Sequence, residues 1–353
     1  MKAWVVRGRG APWDVFDLAD VPEPEPAALA DYAVGLDGLH RRAPAEAPCR
    51  DFVVMRVAAA ALAWPDVTMA TGEYPVPIAR PYVSGQEAVG VVEAASPSQQ
   101  AWLGKRVVAF TPQPFGSFAD VCVAIAPTIF EAPPGMSDAE AAAFLIASHT
   151  AYQAVHRRGR IAAGETVLVL GAAGGVPSAA LQLCVAAGAR VIAVAGGEEK
   201  VAFCRALGAH VAIDHRAEDF ALAVQREVGA HAVDAIIDFV QGEPGRRARP
   251  LLAVEGRHVM AGHAGGLVPV HPNEFYLQNW TLVGCCMGSG YGEKLPEIER
   301  QAHDHLLRLV AEGKYRSTVG RVIDFGEVPA ALRALGERSA IGRTVVRVGT
   351  GGA

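Results

Sequence analysis

Apolar residues cluster differently in the two parts of this chain. Over the first third they form short β-branched runs, at residues 2–6, 51–58, 88–94, 106–110 and 118–123, bounded by Gly and Pro and with little three- or four-residue periodicity. Short strands at this spacing predict a barrel-like β domain. Residues 22–50 interrupt the series with a Pro- and Ala-rich connection containing Pro22-Glu-Pro-Glu-Pro26, and the expectation there is a surface insertion. From residue 137 the pattern changes. Ser137-Asp-Ala-Glu140 has the spacing of a capping box and leads into a helix through Ala141–Ile146, followed by a second helix over 148–155. Then strands and helices alternate.

The clearest stretch is Thr166 to Cys184. Val167 to Leu170 is an unbroken apolar run, as expected of a strand buried on both faces. A small-residue turn follows, Gly171 to Gly175, and then Val176, Ala180, Leu183 and Cys184 at helical spacing. Residues 188–195 read as a second buried strand, which makes the segment a βαβ unit. Strand, glycine turn and helix together suit a dinucleotide pyrophosphate. Absent side chains let the phosphates approach the backbone, and the helix N-terminus offers free N–H groups and a positive dipole end. Pro177 departs from the usual last glycine of such a turn and removes one donor, although proline is tolerated in a first helical turn. Further strands are expected at 211–215, 233–240 and 257–262, a late one at 279–287, a helix at 303–312 and a closing strand within 340–348. Ligands in open parallel sheets bind beyond the carboxyl ends of strands, so Val240 and Gly262-His263-Ala264 become candidate lining residues.

Length and composition narrow the classes. A chain of 353 residues, 51% apolar and 20% charged, is globular and long enough for two domains. A net charge of −5 argues against nucleic acid. No apolar run reaches the ~18 residues of a membrane span, and the first residues lack a secretory core, so the expected location is cytoplasmic. The six cysteines are scattered without a C-x-x-C pair and read as free thiols, with Cys285-Cys286 most simply part of a strand.

Two pieces of the first third carry chemistry: Ala61-Leu-Ala-Trp-Pro-Asp66, followed by Thr71-Gly-Glu-Tyr74, and Ser84-Gly-Gln-Glu-Ala-Val-Gly-Val-Val92. A β domain, a G-x-E-x-x-G-x-V segment and a later G-A-A-G-G-V turn, in that order, resemble the medium-chain dehydrogenase/reductase superfamily, and within it the zinc-free, quinone-oxidoreductase-like branch. The resemblance runs from Asp51 to Val348. It implies a Rossmann-type doubly wound parallel sheet (126–319) joined to a GroES-like β-barrel domain (1–125 and 320–353). Zinc-dependent members place metal ligands where this chain has Ala63, Gln86 and Ile146. Alanine offers no donor and glutamine is a poor zinc ligand, so no metal is expected. Asparagine and tyrosine, common in the zinc-free branch, are replaced by Ala63 and Thr68. Glu87 is weighed as a buried structural carboxylate, and His149 as a packed or helix-surface residue more than a proton donor.

The resemblance also assigns cofactor positions. Thr150 would lie near the nicotinamide, Ala173, Gly174, Gly175 and Val176 at the diphosphate, and Val240, Gly262, His263 and Ala264 at the nicotinamide end. Ala195-Gly-Gly-Glu-Glu-Lys200 carries no acid at the strand end, where NAD-specific folds hold the ribose hydroxyls on Asp or Glu. Related NADPH-binding proteins show A-G-S-x-E-K there, with the lysine on the 2′-phosphate. NADPH is therefore the expected cofactor, with Gly197, Lys200 and His215 near the adenosine phosphate and Arg343 where a lysine is usual. His263 and Thr68 are the catalytic candidates, and His263 is weighed equally as a packing substitute.

The expected activity is a metal-free transfer of hydride from NADPH to a quinone or an α,β-unsaturated carbonyl compound, a small electrophile, by a homodimer paired through strand 279–287. Two rivals remain open. One is an enoyl-thioester reductase, for which Arg246-Arg-Ala-Arg249 hints at a coenzyme A phosphate site. The other is an NADPH-binding sensor or structural protein of little catalysis.

Overall fold

A computed structural model describes residues 1–35, 39–287, 291 and 294–348. The chain divides into two compact units: Met1–Ile146, Gly288–Glu299 and Val319–Ala353 in one, and Ala147–Met287 with Arg300–Thr318 in the other.

The second unit is built on six parallel strands: Thr166–Leu170, Arg190–Ala195, Val211–Asp214, Val233–Asp238, Leu252–Met260 and Thr281–Gly284. In chain order they lie 3-2-1-4-5-6 across the sheet. That order reverses between the first and fourth strands, and the crevice it leaves at their carboxyl ends is where such sheets take ligands. The apolar runs behave as double-sided burial requires. Val167 to Leu170 and Val191 to Ala195 are almost wholly buried, with Leu168, Leu170, Ile192, Val194, Ile213 and Ile236 in one core cluster. Of the late stretch 279–287, only Thr281–Gly284 pairs, and it forms an edge of the sheet. The helix expected at 148–155 is Leu145–Tyr152, and it continues as a π-helical turn through Arg158.

The first unit contains a seven-stranded sheet centred on Phe52–Ala61, which pairs with Glu87–Ala95, Val121–Ile125 and Arg343–Arg347. A smaller three-stranded sheet holds Lys2–Val6. The central strand runs three residues beyond the expected 58, because Ala59 and Ala61 pack into one core cluster and Ala60 into another, on opposite faces. The strand expected at 118–123 begins only at Val121: Phe118 and Ala119 turn instead toward the first strand, with Phe118 C=O accepting from Trp4 N–H at 2.8 Å.

Residues 22–50 lie mostly at the surface, as expected, but they are anchored to the core. They form a 3-10 turn, Pro26–Asp31, and a hairpin of Tyr32–Val34 with Leu39–Arg41; residues 36–38 lie outside the described residues. Leu29, Leu39 and Cys49 are buried against Phe52, Val54, Val121 and Val123. Three well-spaced apolar anchors suffice to dock the segment, and its proline content hides them from any periodicity.

Among the described residues, no helix is long and apolar enough to cross a membrane.

Candidate active site

The glycine turn sits at the carboxyl end of the central strand Thr166–Leu170, before the helix Gly175–Ala186. Gly171 has φ +65°, and a Cβ there would come within 2.9 Å of Val240 Cγ2, so the fold itself demands glycine. Gly174 differs. It is the N-cap with φ −74°, and an added Cβ would meet nothing closer than 3.4 Å. Folding does not require glycine there, whereas close approach of a phosphate to the backbone does. Pro177 is the third helical residue, and the first helical bond runs from Ser178 N–H to Gly174 C=O at 2.9 Å. The N–H groups of Gly175 and Val176 have no acceptor within the helix and point from its N-terminus. Proline costs one donor and leaves two.

At the end of the second strand, Gly196-Gly197 lies against basic side chains. A Cβ on Gly196 would fall 2.7 Å from His215 Nε2 and 3.0 Å from Arg216 Nε, and one on Gly197, whose φ is +99°, 3.5 Å from Arg216 Nη1. Lys200 occupies the first turn of the following helix, Glu198–Ala206. Burial, and then the Arg216 guanidinium, hold its ammonium below the usual lysine range. Three basic side chains thus gather at the carboxyl end of the second strand. Arg216 escaped the sequence reading, because only the pairing of the second and third strands brings 215–216 beside 196–197. That pairing also delivers an acid, Asp214. Its Oδ1 accepts from Gly197 N–H at 2.8 Å and Arg216 N–H at 2.9 Å. These backbone donors hold the carboxyl below its ordinary value and fix the positions of both residues.

The fourth and fifth strands end in two loops laced together. Ala261 N–H donates to Asp238 C=O at 2.9 Å, and Gly265 N–H to Val240 C=O at 2.6 Å. Asp238, wholly buried, accepts from Val240 and Gln241 N–H at 2.8 and 2.7 Å through Oδ1, and its Oδ2 lies 2.8 Å from His258 Nε2. Gly262, His263 and Ala264 are half-buried in the second loop. Thr150 is half-buried on the helix Leu145–Tyr152. His149, one residue earlier, is fully buried with Nε2 at 3.2 Å from His303 Nδ1, a packed histidine.

In the first unit, Pro65 and Asp66 start the helix Trp64–Thr71, with Asp66 Oδ2 accepting from Ala63 N–H at 2.8 Å. Asp66 Oδ1 accepts from Ser84 Oγ–H and Gly85 N–H, each at 3.2 Å, and burial pushes the carboxyl up to about 6. Thr68 is buried and its hydroxyl donates to Pro65 C=O at 3.4 Å. Gln86 Nε2 donates to Met69 Sδ at 3.3 Å. Glu87 is buried as a structural carboxylate: Oε2 accepts from Ile146 N–H at 2.8 Å, and Oε1 pairs with Arg343 Nη2. Arg343, counted from the sequence among cofactor residues, is thereby committed to a buried ion pair at the start of the closing strand. Burial pushes its guanidinium down to about 10. Only a partner 256 positions away could have revealed this.

The Arg246–Arg249 cluster is likewise occupied. Arg246 pairs with Glu243 at 2.6 Å, Arg247 with Asp219 at 2.5 Å and Arg249 with Glu274 at 2.5 Å. The four most hidden cysteines, Cys49, Cys122, Cys184 and Cys204, are buried free thiols, Cys285 is half-buried and Cys286 exposed.

Two family models match the chain: an alcohol dehydrogenase GroES-like domain over residues 50–134, and a zinc-binding dehydrogenase domain over 175–307. The quinone oxidoreductase of Thermus thermophilus, solved also in complex with NADPH, is 33% identical over 98% of this chain and 100% of its own, with a TM-score of 0.78. The chain belongs to the medium-chain dehydrogenase/reductase superfamily, in its quinone-oxidoreductase-like branch. Its fold is the GroES-like domain plus a Rossmann-type domain. Quinone oxidoreductase-like protein 2 of Bos taurus is 29% identical over 284 residues, 80% of each chain. A phthioceranic/hydroxyphthioceranic acid synthase of Mycobacterium tuberculosis is 29% identical over 306 residues, 84% of this chain. This chain spans only 14% of that synthase's length. Of Ala63, Gln86 and Ile146, the residues the resemblance sets at zinc-ligand positions, two have no side-chain donor atom.

Proposed function

We propose that this protein is an oxidoreductase that binds NADPH and reduces a quinone or an α,β-unsaturated carbonyl compound without a metal. The observation that carries the cofactor choice is the convergence of Lys200, His215 and Arg216 on Gly196-Gly197, with the strand-end carboxylate, Asp214, turned onto backbone donors. A 2′-phosphate finds cations there, and the acid beside them is already engaged. The open Gly174 cradle and the N–H groups of Gly175 and Val176 suit the diphosphate. Gly262, His263 and Ala264 would line the nicotinamide end beside Val240, whose own N–H and C=O are engaged with Asp238 and Gly265.

NADPH, when bound, supplies a hydride. The chain's own residues have less to do: an acceptor carbon conjugated to a carbonyl is already electron-poor, so holding it in place matters more than a strong acid. Thr68 directs its hydroxyl proton to Pro65 C=O, which leaves His263 as the better candidate to return a proton to the product. The metal-free assignment rests on Ala63 and Ile146, whose side chains cannot ligate.

Enoyl-thioester reduction is a second reading, favoured by likeness to the acid synthase segment. The arginine cluster that hinted at a coenzyme A phosphate gives it no support, since each arginine faces an acid. NADPH oxidation with menadione, methyl vinyl ketone and crotonyl-CoA separates these readings. Turnover of menadione or the enone, unchanged by EDTA, is expected. Preference for crotonyl-CoA would favour the second reading. Tight NADPH binding with no turnover would favour a sensor, and activity abolished by EDTA and restored by zinc would refute the metal-free assignment.

A further inference from the structure

Six non-glycine residues among those described have positive φ: Arg160, His231, Gln241, Glu255, Asn279 and Arg338. Five of them are exposed; Gln241 is half-buried. Its φ of +53° and ψ of −144° belong to a region that glycine occupies readily and other residues avoid. Glycine follows at once, since Gly242 has φ +57° and a Cβ there would strike Gly265 C=O. A residue with a long side chain stands where the backbone asks for none.

The side chain has a use. Gln241 Nε2 donates to Gly262 C=O, across the gap from the loop after the fourth strand to the loop after the fifth. Its own N–H is held from below by Asp238, itself clamped by His258. The backbone bonds from Ala261 to Asp238 and from Gly265 to Val240 flank this latch on either side. Gly262 lies between them, and its carbonyl is oriented by Gln241. Strained conformations of this kind persist where surrounding structure holds them, and they gather at ligand-binding sites.

We propose that Gln241 is a positioning residue for the nicotinamide: by latching Gly262 C=O it fixes the Gly262-His263-Ala264 backbone in register with Val240, and so sets how the ring is presented. This rests on the NADPH reading above. It concerns one end of the nucleotide only, because the hydrogen bonds of Gln241 run within the loops after the fourth and fifth strands and to the helix that follows Gln241.

Two variants test it. Gln241→Gly removes the latch and relieves the backbone, so its melting temperature should hold or rise. Gln241→Asn keeps an amide and tolerates positive φ but is one methylene too short to reach. Binding of 2′,5′-ADP, which lacks the nicotinamide, should stay within about twofold of the parent in both. The fluorescence of the reduced nicotinamide in bound NADPH should lose its enhancement. With menadione, kcat should fall about tenfold or more while KM for NADPH moves far less. Retained fluorescence and kcat in both variants would overturn the proposal, as would losing 2′,5′-ADP affinity as strongly as NADPH affinity. A parent protein that fails to bind 2′,5′-ADP would refute the underlying cofactor reading, and the proposal with it.

Discussion

Cofactor choice is the sharpest consequence of the geometry around Gly196-Gly197. The perturbation is removal of Lys200 and Arg216, singly and together, by substitution with alanine. A ribose 2′-phosphate carries about −1.5 to −2 charges at neutral pH. A unit charge about 4 Å away, at an effective dielectric near 20, interacts by about 4 kcal/mol, an upper figure for a site open to water. Arg216 is exposed and Lys200 half-buried. Charge-assisted hydrogen bonds in such settings contribute about 1.5–3 kcal/mol, with the exposed arginine toward the lower value. Arg216→Ala should therefore weaken NADPH about tenfold and Lys200→Ala up to about 100-fold. NADH has no phosphate for either cation to meet, so its affinity should change by less than about threefold. In the double variant the two affinities should converge. The assay is isothermal titration with 2′,5′-ADP and 5′-ADP at low and high salt, because charge contacts open to solvent weaken as the screening length shortens. Equal losses for both nucleotides would refute the reasoning, since the cations would then be shaping the fold rather than reading a phosphate. No loss in either single variant or the double would refute it as well.

Other consequences are simpler to state. Gly174→Ala should change folding stability by no more than about 1 kcal/mol, because the backbone is unstrained and a Cβ meets nothing closer than 3.4 Å while alanine caps the helix less well than glycine, yet NADPH should bind at least about tenfold more weakly; unaltered affinity would mean the phosphates lie elsewhere. Asp66 gives a pH dependence. Burial raises its carboxyl from the ordinary 3.8 to about 6, so its contribution to stability is fully present below about pH 3.8 and lost as pH rises through about 6, roughly 3 kcal/mol in all. Asp66→Asn should flatten that part of the profile in denaturant titrations between pH 4 and 7; identical slopes in parent and variant would show that Asp66 does not titrate there.

Much of the fold was legible because its signals are local. Val167 to Leu170 must be buried on both faces wherever it lies, and Gly171 to Gly175 must turn sharply. The alternation that follows admits few arrangements besides a parallel sheet. Ala63 and Ile146 lack ligand atoms in any conformation. Their identity alone bears on metal chemistry.

Position in space was a different matter. Arg343 read as a candidate for the nucleotide because it stands where the resembling family has a lysine; folding gives it to Glu87, on a strand distant in sequence. Arg216 and Asp214 gained their roles only when the third strand paired beside the second. The segment 22–50 proved to carry core residues because burial there depends on a partner surface supplied by Val121 and Val123, not on its own pattern. Gln241 carries no sequence mark at all: its strain and its latch exist only between two loops joined by tertiary contacts. Periodicity and residue chemistry act through neighbours in the chain and so determine elements and exclusions. Charge pairing and backbone strain act through neighbours in space, and these only the folded chain decides.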